Sequence, residues 1–399
     1  MKPTSVGFHV FQCAFFDTIK ENEVIIMIVG SVKEIKTHEY RVGLIPPHVS
    51  VFVSMGHEVL IETLAGEGSG YSDQEYIDAG AKIITSASEV WSRVDMMVKV
   101  KEPLESEYEL MKEGLILYTY LHLAANEALT KALIKNKVTS IAYETITDDF
   151  GGLPLLKPMS EVAGRLSVQE GAKYLEKPFG GRGVLLSGVP GVPKAKVVII
   201  GGGVVGTNAA KIAVGMGAEV SILDRSIRRL EQLDTIFGNQ IQTLYSTPAI
   251  LASQLETADL VIGAVLIPGA SAPKLVKKEM LKNMRVGSVI VDVAIDQGGC
   301  LETSKITYHD NPTYVVDGVV HYCVANMPGA TPRTSTQALT NATLDYGLKI
   351  ASGDLETLIK EDKHLANGFN TYLGHCVIHE VASATGVAYT PLKSLLSSQ

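Results

Sequence analysis

The sequence predicts an α/β protein made of two units, each with a mainly parallel β-sheet. Between Met27 and residue 150, short apolar runs alternate with helix-like segments. A second series of the same kind begins near residue 195 with a strand-like run and a glycine cluster. Beyond residue 332 the helical periodicity is long and strand signals are few. Strands that alternate with helices are typical of parallel sheets joined by crossover helices.

In the first unit, the segments that predict strands are IIMIVGS, HEVLIET, KIIT, DMMVKV, GLILYTYL and VTSIAYE. The segments PPHVSVFVSMG and DQEYIDAGA predict helices. The preceding residues contain one apolar stretch, FHVFQCAFF, which His9 and Gln12 interrupt. A secretory signal has an unbroken apolar core and a small-residue cleavage site. We therefore expect residues 1–26 to be an N-terminal extension of unknown role.

The segment EKPFGGRGVLLSGVPGVPKA, residues 176–195, is rich in Gly and Pro, which predicts a surface loop. In the second unit, VVII, EVSILD, DLVIGAV, SVIVDVA and TYVVDG predict strands, and NAAKIAVGMG predicts a helix. We expect the helical C-terminal region to pack on the first unit. The first domain is then discontinuous, comprising residues 27–154 and 333–399, and the second domain, residues 155–332, is inserted into it.

Composition and charge exclude several classes of protein. Of the 399 residues, 46% are hydrophobic and 20% are charged, which is typical of a globular protein with two domains. The net charge is −8 and the sequence has no Lys/Arg run, so we expect neither a nucleic acid nor a membrane as a partner. No apolar run approaches the ~18 residues of a membrane span.

The cysteine and histidine spacings do not predict a metal site. The four cysteines lack CxxC spacing, which favours a reducing cytoplasm and unpaired thiols. His375 and His379 are spaced i, i+4 on a predicted helix, but no third ligand accompanies them. We expect these two histidines to line one face of that helix.

A glycine motif at the start of the second unit predicts a dinucleotide site. Gly201, Gly203 and Gly206 follow a strand and open a helix, and an acidic residue, Asp224, ends the next strand. Gly201 permits a tight turn, Gly203 lets a pyrophosphate approach the backbone, and Gly206 lets the helix pack on the strand. Asp224 is expected to accept hydrogen bonds from ribose hydroxyls, which favours NAD over NADP. Three nearby cations weaken that preference: Arg225, Arg228 and Arg229. Both units are thus expected to be Rossmann-like.

Four polar residues outside this motif stand where a buried strand or its end is expected to be apolar: Arg41, just before a Pro pair, and Lys101, His122 and Asp296, each at or just after the end of a predicted strand. Because open α/β sheets bind ligands at the carboxyl ends of their strands, these side chains can converge on one cleft. Together they offer a guanidinium for a carboxylate, a cation for a carbonyl oxygen and groups that transfer protons. Oxidation of an amino acid beside a nicotinamide requires this set.

Each of these residues also has a purely structural interpretation. Arg41 is also compatible with a solvated loop cation, and Lys99 and Lys101 with a charged strand edge. His122, among Leu and Tyr, is also compatible with a buried structural histidine. Asp296 is also compatible with a cap of the glycine turn that follows it.

Long blocks of the sequence resemble bacterial L-alanine dehydrogenase. They include EYRVGLIPP, VKVKEP, LHLAAN, PLLKPMSEVAGRLSVQEGA, GGGVVGTNAA, VDVAIDQGGC and YCVANMPGATPRTSTQALTNAT, and they run from Met27 nearly to the C-terminus. The resemblance implies reversible, NAD-dependent oxidative deamination of L-alanine to pyruvate and ammonium. It also implies two α/β domains, with the nucleotide domain inserted in the chain, and a homo-oligomer that is usually a hexamer.

The resemblance implies a role for each matching residue. Arg41 is expected to bind the substrate carboxylate, and Lys101 the carboxylate and the oxo group. His122 and Asp296 are expected to form the catalytic pair. The remaining residues are expected near substrate or cofactor: Asn326 near substrate and nicotinamide, Ser160 near nicotinamide and phosphates, Ser246 near adenosine, and Leu266 and Met327 around the cofactor.

Three alternatives share parts of this pattern. The NAD-binding subunit of a proton-translocating transhydrogenase has the same two-domain architecture but needs a membrane partner and no amino acid. A non-catalytic sensor that binds NAD would keep the glycine motif and would have no need of Lys101, His122 and Asp296 together. A dehydrogenase of saccharopine or lysine is also similar in architecture.

Overall fold

The structure, a computed structural model, describes residues 25–265 and 272–396. Within these residues the strands are β1 (Ile28–Ser31), β2 (Glu58–Glu62), β3 (Lys82–Ile84), β4 (Met96–Val98), β5 (Ile116–Thr119), β6 (Thr139–Ala142), β7 (Lys196–Ile200), β8 (Glu219–Asp224), β9 (Ile241–Tyr245), β10 (Leu260–Gly263), β11 (Val289–Asp292), β12 (Thr313–Val316), β13 (Val319–Tyr322), β14 (Phe369–Tyr372) and β15 (His375–Cys376). The helices are α1 (Pro46–Ser54), α2 (Asp73–Asp78), α3 (Ala87–Arg93), α4 (Glu127–Lys135), α5 (Lys157–Tyr174), α6 (Val204–Gly215), α7 (Ile227–Phe237), α8 (Pro248–Thr257), α9 (Lys278–Leu281), α10 (Pro332–Ser352), α11 (Leu355–Glu361), α12 (Lys363–Ala366) and α13 (His379–Thr385).

The first sheet has the strand order β15-β14-β6-β5-β4-β1-β2-β3. The strands from β3 to β6 are parallel, whereas β14 pairs antiparallel with β6 and β15 antiparallel with β14. The direction in which successive strands are added reverses between β1 and β4. Ligands bind at such a switch point, outside the carboxyl ends of the strands.

The second sheet has the order β12-β13-β11-β10-β7-β8-β9 and is parallel except at its edge strand β12. Its switch point lies between β7 and β10. The glycine motif follows β7 and therefore lies at this point. Both sheets are mainly parallel and carry helices, as the sequence predicts.

Apolar side chains cover both faces of each sheet. On β7, Val197 and Ile199 belong to one core cluster, and Val198 and Ile200 belong to the cluster on the opposite face. This alternation follows from the two-residue period of a strand. The interior strands are therefore apolar without interruption, as in a parallel sheet covered on both faces, and each buried aliphatic side chain contributes about 1.5–3 kcal/mol to stability.

Two long helices carry the chain between the sheets. α5 leads from the first sheet into the second, and α10 leads back, and the two helices pack against each other. After α10 the chain adds β14 and β15 to the first sheet. The prediction that the second domain is inserted into a discontinuous first domain is confirmed.

Some local predictions were wrong. The C-terminal region, for which helical periodicity and few strand signals were noted, also contains β14 and β15, which were not predicted. His375 and His379 do not share a helix face, because His375 lies on β15 and α13 begins only at His379, after an extended residue, Ile378. The strand β9 was not predicted. The predictions for residues 1–24 and for Leu266 lie outside the described residues.

No helix in residues 25–265 and 272–396 combines the length and the apolar character that crossing a membrane requires.

Candidate active site

The carboxyl edge of the second sheet borders a cleft of about 570 Å³, here called the glycine-loop cleft. Its wall includes residues that the sequence assigns to a cofactor: Ser160, Gly201, Gly203, Asp224 and Ser246. The opposite wall is formed by the loop between β6 and α5, residues 148–157. The cleft thus lies at the switch point of the second sheet, as expected for a nucleotide.

The three motif glycines are required for different physical reasons. Gly201 has φ +101°, and a Cβ there would also lie 2.8 Å from the carbonyl oxygen of Ala264. A Cβ on Gly206 would lie 1.9 Å from the carbonyl oxygen of Gly201, so this glycine lets α6 pack on the loop. A Cβ on Gly203 would contact no protein atom within 4 Å and would project from the cleft wall. No packing within the protein therefore requires Gly203, and its backbone stays open to the cleft.

Asp224 holds the glycine loop as well as lining the cleft. Its carboxylate accepts hydrogen bonds from the N–H groups of Gly202 and Ser226, both at 2.8 Å. Arg229 donates to the carbonyl oxygen of Gly202 at 2.6 Å and to the hydroxyl of Thr207, also at 2.6 Å. Of the three arginines near Asp224, only Arg225 lines the cleft. Arg229 is thus engaged by the loop itself.

At the switch point of the first sheet, Arg41 lies in the loop after β1 and is 2% exposed. Its Nε and Nη2 donate to the two carboxylate oxygens of Glu39, at 2.7 and 2.6 Å. Nη2 also donates to Oδ1 of Asn326, at 2.8 Å, and Nη1 lies 2.9 Å from the sulfur of Met159. Arg41 is therefore not a solvated loop cation. Burial raises the pKa of Glu39, but the adjacent guanidinium outweighs burial and lowers it to about 2.

The two lysines after β4 have different surroundings. Lys99 is fully buried and forms ion pairs with Glu34 and Glu107, at 3.1 and 3.2 Å. Glu34 also accepts hydrogen bonds from the N–H groups of Val100 and Lys101. The ammonium of Lys101 forms no hydrogen bond or ion pair within the described residues. Burial, and then the positive charge of Arg41, lower the pKa of Lys101. Lys99 is thus structural, and Lys101 remains available to a ligand.

His122 lies three residues beyond the end of β5, which ends at Thr119, although the predicted strand extends to Leu121. It is exposed and adopts the left-handed conformation, with φ 50°. Its N–H donates to the carboxylate of Glu144 at 2.6 Å, which fixes this turn to the end of β6. The ring of Tyr120 lies 6.0 Å from the imidazole, centroid to centroid. The structural interpretation of His122 as a buried core histidine is therefore wrong.

Asp296 lies in the turn after β11 and is exposed. Its Oδ1 accepts a hydrogen bond from the N–H of Asn326 at 3.4 Å. Asp292, at the end of β11, holds this turn, since its carboxylate accepts hydrogen bonds from the N–H groups of Ala294 and Cys300. Asp292, rather than Asp296, is therefore the residue that caps the turn.

The structure brings several predicted residues together. Asn326 contacts both Arg41 and Asp296, and Arg41 is close enough to Lys101 to affect its pKa. Ser160 of the glycine-loop cleft is the neighbour of Met159, which contacts Arg41, so the cleft and the cations are adjacent. Met327 instead lies in the core of the second sheet, 3% exposed. Within the described residues, no cluster of three His, Cys, Asp or Glu side chains has the arrangement of a metal site.

Two carboxylates that hold these residues in place were not predicted from the sequence. Glu39, two residues before Arg41, and Glu144, just after β6, each accept hydrogen bonds from an element that carries a candidate residue. Glu144 is the last residue of the predicted strand VTSIAYE, so the rule that identified the other strand-end residues would also have found it. Glu39 gave no such signal, because an acid in a polar loop is normally solvated.

Two family models show to which protein family the chain belongs. A family model described as the N-terminal domain of alanine dehydrogenase/PNT matches residues 30–163, and one for its C-terminal domain matches residues 167–379. The chain belongs to the alanine dehydrogenase/PNT family. The resemblance inferred from the sequence blocks is confirmed.

Within the alanine dehydrogenase/PNT family, the chain is similar both to alanine dehydrogenases and to a transhydrogenase. It is 57% identical to an alanine dehydrogenase of Methanococcus maripaludis over 93% of this chain and 100% of the relative. A solved L-alanine dehydrogenase is 54% identical, with a TM-score of 0.88 over 90% of this chain and 99% of that one. A transhydrogenase from Sinorhizobium meliloti is 26% identical, with a TM-score of 0.77 over 88% of this chain and 99% of that one. The sequence identity and the TM-score are therefore both higher for the alanine dehydrogenases than for the transhydrogenase.

Proposed function

We propose that this protein catalyses the reversible, NAD-dependent oxidative deamination of L-alanine to pyruvate and ammonium. One observation carries the proposal: the buried guanidinium of Arg41 and the unpaired ammonium of Lys101 lie together beside the glycine-loop cleft. Two cations at one site match a substrate with both a carboxylate and an oxo group. The identity of 57% to an alanine dehydrogenase over the whole of that relative supports this substrate.

The proposed binding of NAD uses residues of the glycine-loop cleft. Gly201, Gly203 and Gly206 form the turn against which the pyrophosphate packs, with the N–H groups at the start of α6 facing it. Asp224 accepts hydrogen bonds from ribose hydroxyls, while Ser160, Ser246, Leu266 and Met327 are proposed to lie near the cofactor. When bound, NAD accepts a hydride from the substrate Cα.

The proposed chemistry assigns one task to each polar residue. Arg41 and Lys101 bind the carboxylate and orient the substrate, which lowers the barrier by several kcal/mol. His122 moves protons as water adds to the iminium of the substrate and as the carbinolamine collapses. Asp296 orients water or ammonia and balances the positive charge of the iminium, and Asn326 holds Asp296 and Arg41 in one arrangement.

The purified chain tests the proposal directly. We expect it to oxidise NADH when pyruvate and ammonium are both present, and to reduce NAD with L-alanine in a screen of small L-amino acids. A transhydrogenase subunit would oxidise no NADH under these conditions and would exchange hydride only beside a membrane subunit. A sensor would bind NADH without turnover.

We also propose the boundaries of the two domains, a homo-oligomeric state and a cytoplasmic location. The domain limits at residues 154/155 and 332/333 are supported by the starts of the connecting helices, at Lys157 and Pro332. Exposed Leu185, Val189 and Val192 on one loop segment are typical of a subunit interface, which supports a homo-oligomer and, by the resemblance, a hexamer. The unpaired Cys300, Cys323 and Cys376 support a cytoplasmic location.

A further inference from the structure

We propose that Glu39 is a positioning residue for the substrate carboxylate: it fixes the guanidinium of Arg41 and links it to Asn326 of the other domain. This inference rests on the proposed role of Arg41. Glu39 itself has no role in the chemistry described above, and groups of Arg41 and Asn326 occupy its carboxylate. Its side chain is 0% exposed, and burying a carboxylate costs free energy that its contacts must offset.

Four donors converge on the Glu39 carboxylate. Oε1 accepts from the backbone N–H of Arg41 at 3.1 Å and from its Nε at 2.7 Å. Oε2 accepts from Nη2 of Arg41 at 2.6 Å and from Nδ2 of Asn326 at 3.0 Å. The amide oxygen of Asn326 in turn accepts from Nη2 of Arg41. The three side chains form a closed ring of hydrogen bonds that spans the two domains.

This ring determines which edge of Arg41 faces a ligand. Nε and Nη2 are engaged, and only Nη1 remains, with the thioether of Met159 as its partner. A thioether is a weak acceptor, whereas a carboxylate forms a charge-assisted hydrogen bond. A substrate carboxylate therefore displaces the Met159 contact and leaves the bonds to Glu39 intact. The bidentate contact with Glu39 prevents the guanidinium from rotating when the ligand binds.

The charge of Glu39 also acts on the neighbouring cation. Arg41 and Lys101 carry positive charges in one buried region, and these charges repel each other. Burial, Arg41 and Lys36 lower the pKa of Lys101, whereas the negative charges of Glu102 and, to a smaller extent, Glu39 raise it. Glu39, together with Glu102, therefore favours the protonated form of Lys101 beside Arg41, and binding of an oxo acid at this site uses both cations.

The test is the substitution Glu39→Gln, which keeps the shape, removes the charge and replaces one acceptor with a donor. The measured quantity is the Kd of pyruvate for the enzyme–NADH complex without ammonium, from the fluorescence of bound NADH. We expect the pyruvate Kd to rise at least about tenfold, and the NADH Kd to stay within about twofold. We also expect pyruvate binding to be lost at a lower pH than in the wild type, because Lys101 then loses its proton at lower pH.

Matched variants make the result decisive. Glu89→Gln removes the acid of an exposed Glu–Arg pair and is expected to change neither Kd. A pyruvate Kd within about twofold of wild type in Glu39→Gln would overturn the inference, as would an equal loss of pyruvate and NADH binding. If Glu39→Gln does not fold, Glu39→Asp decides: it keeps the charge but is too short to reach both Arg41 and Asn326, so unchanged pyruvate binding overturns the inference. Arg41→Lys separates the two proposals, because unchanged pyruvate binding in that variant refutes the role of Arg41 itself.

Discussion

His122 follows an apolar run, yet its side chain lies in solvent at the carboxyl edge of the first sheet. The sequence correctly indicated a strand before it, but the chain leaves the strand at Thr119 and enters a left-handed residue at position 122. Such a conformation is uncommon for a residue other than glycine and persists where surrounding contacts hold it. Here the carboxylate of Glu144 holds the N–H groups of both Leu121 and His122. The exposed side chain is therefore held at this edge of the sheet by an acid that lies just after the neighbouring strand, β6.

Replacing His122 with alanine tests this role. We expect the binding of NADH to stay within a few-fold and the chemical rate to fall at least ~100-fold, because the proton carrier is lost while the cleft is unchanged. Single-turnover oxidation of NADH with pyruvate and ammonium measures the rate. His379→Ala, which removes an exposed imidazole at the start of α13, is the control. Near-normal turnover in His122→Ala would exclude the residue from the mechanism.

Lys101 predicts a pH dependence of substrate binding. Its pKa is lowered by burial and by Arg41, so the ammonium loses its proton at a lower pH than an ordinary lysine does. Since only the protonated form attracts a carboxylate, the affinity for pyruvate should fall as the pH rises through this lowered pKa. We expect Lys101→Arg to lack this decrease, because a guanidinium stays protonated throughout. Pyruvate titrations of the enzyme–NADH complex at increasing pH, without ammonium, measure the effect, and identical profiles would contradict it.

At the scale of single elements, the glycine loop is the part of the site that the sequence predicted best. The strand, the turn and the helix around them require Gly201 and Gly206, and a Cβ on Gly203 would meet no protein atom within 4 Å. The strands β9 and β14 were not predicted, because neither has a clear pattern in the sequence around it. β9 is only partly buried, so its polar side chains hide the apolar pattern, and β14 is a short strand that pairs with β6, more than 200 residues earlier. Such pairing has no local signature in a sequence.

Two alanine substitutions in this loop should have different consequences. Gly203 has φ −66°, and a Cβ there meets no protein atom, so Gly203→Ala should fold normally and weaken NADH binding at least about tenfold. A Cβ on Gly206 collides with the carbonyl oxygen of Gly201, so Gly206→Ala should lower the free energy of unfolding by about 1–3 kcal/mol or more. Thermal melts and NADH fluorescence titrations separate the two outcomes. Equal loss of stability in both variants would contradict the different roles.

At the scale of the whole molecule, the candidate site lies between two domains whose sheets both carry a switch point. The order of strands explains why residues far apart in sequence meet there: Arg41 follows β1, Lys101 follows β4, and Asp296 follows β11. The strand-end rule identified Lys101 and Asp296 from the sequence, whereas Arg41 was singled out as a cation in the loop before a Pro pair. It could not identify the contacts among them, because the bond between Arg41 and Asn326 depends on how the two domains pack.

Asn326 is the residue that joins the two halves of the site. Its amide bonds Arg41 and Glu39 of the first domain, and its N–H bonds Asp296 of its own domain. We expect Asn326→Ala to weaken pyruvate binding about tenfold and to reduce the single-turnover rate, while NADH binding stays within about twofold, because the glycine-loop cleft lies outside this contact. Asn367→Ala removes an exposed amide that donates a hydrogen bond to Thr147, and this variant serves as the control. If Asn326→Ala affects NADH and pyruvate binding equally, the residue supports the packing of the domains as a whole; if it affects pyruvate alone, the contact between domains positions Arg41 for the substrate.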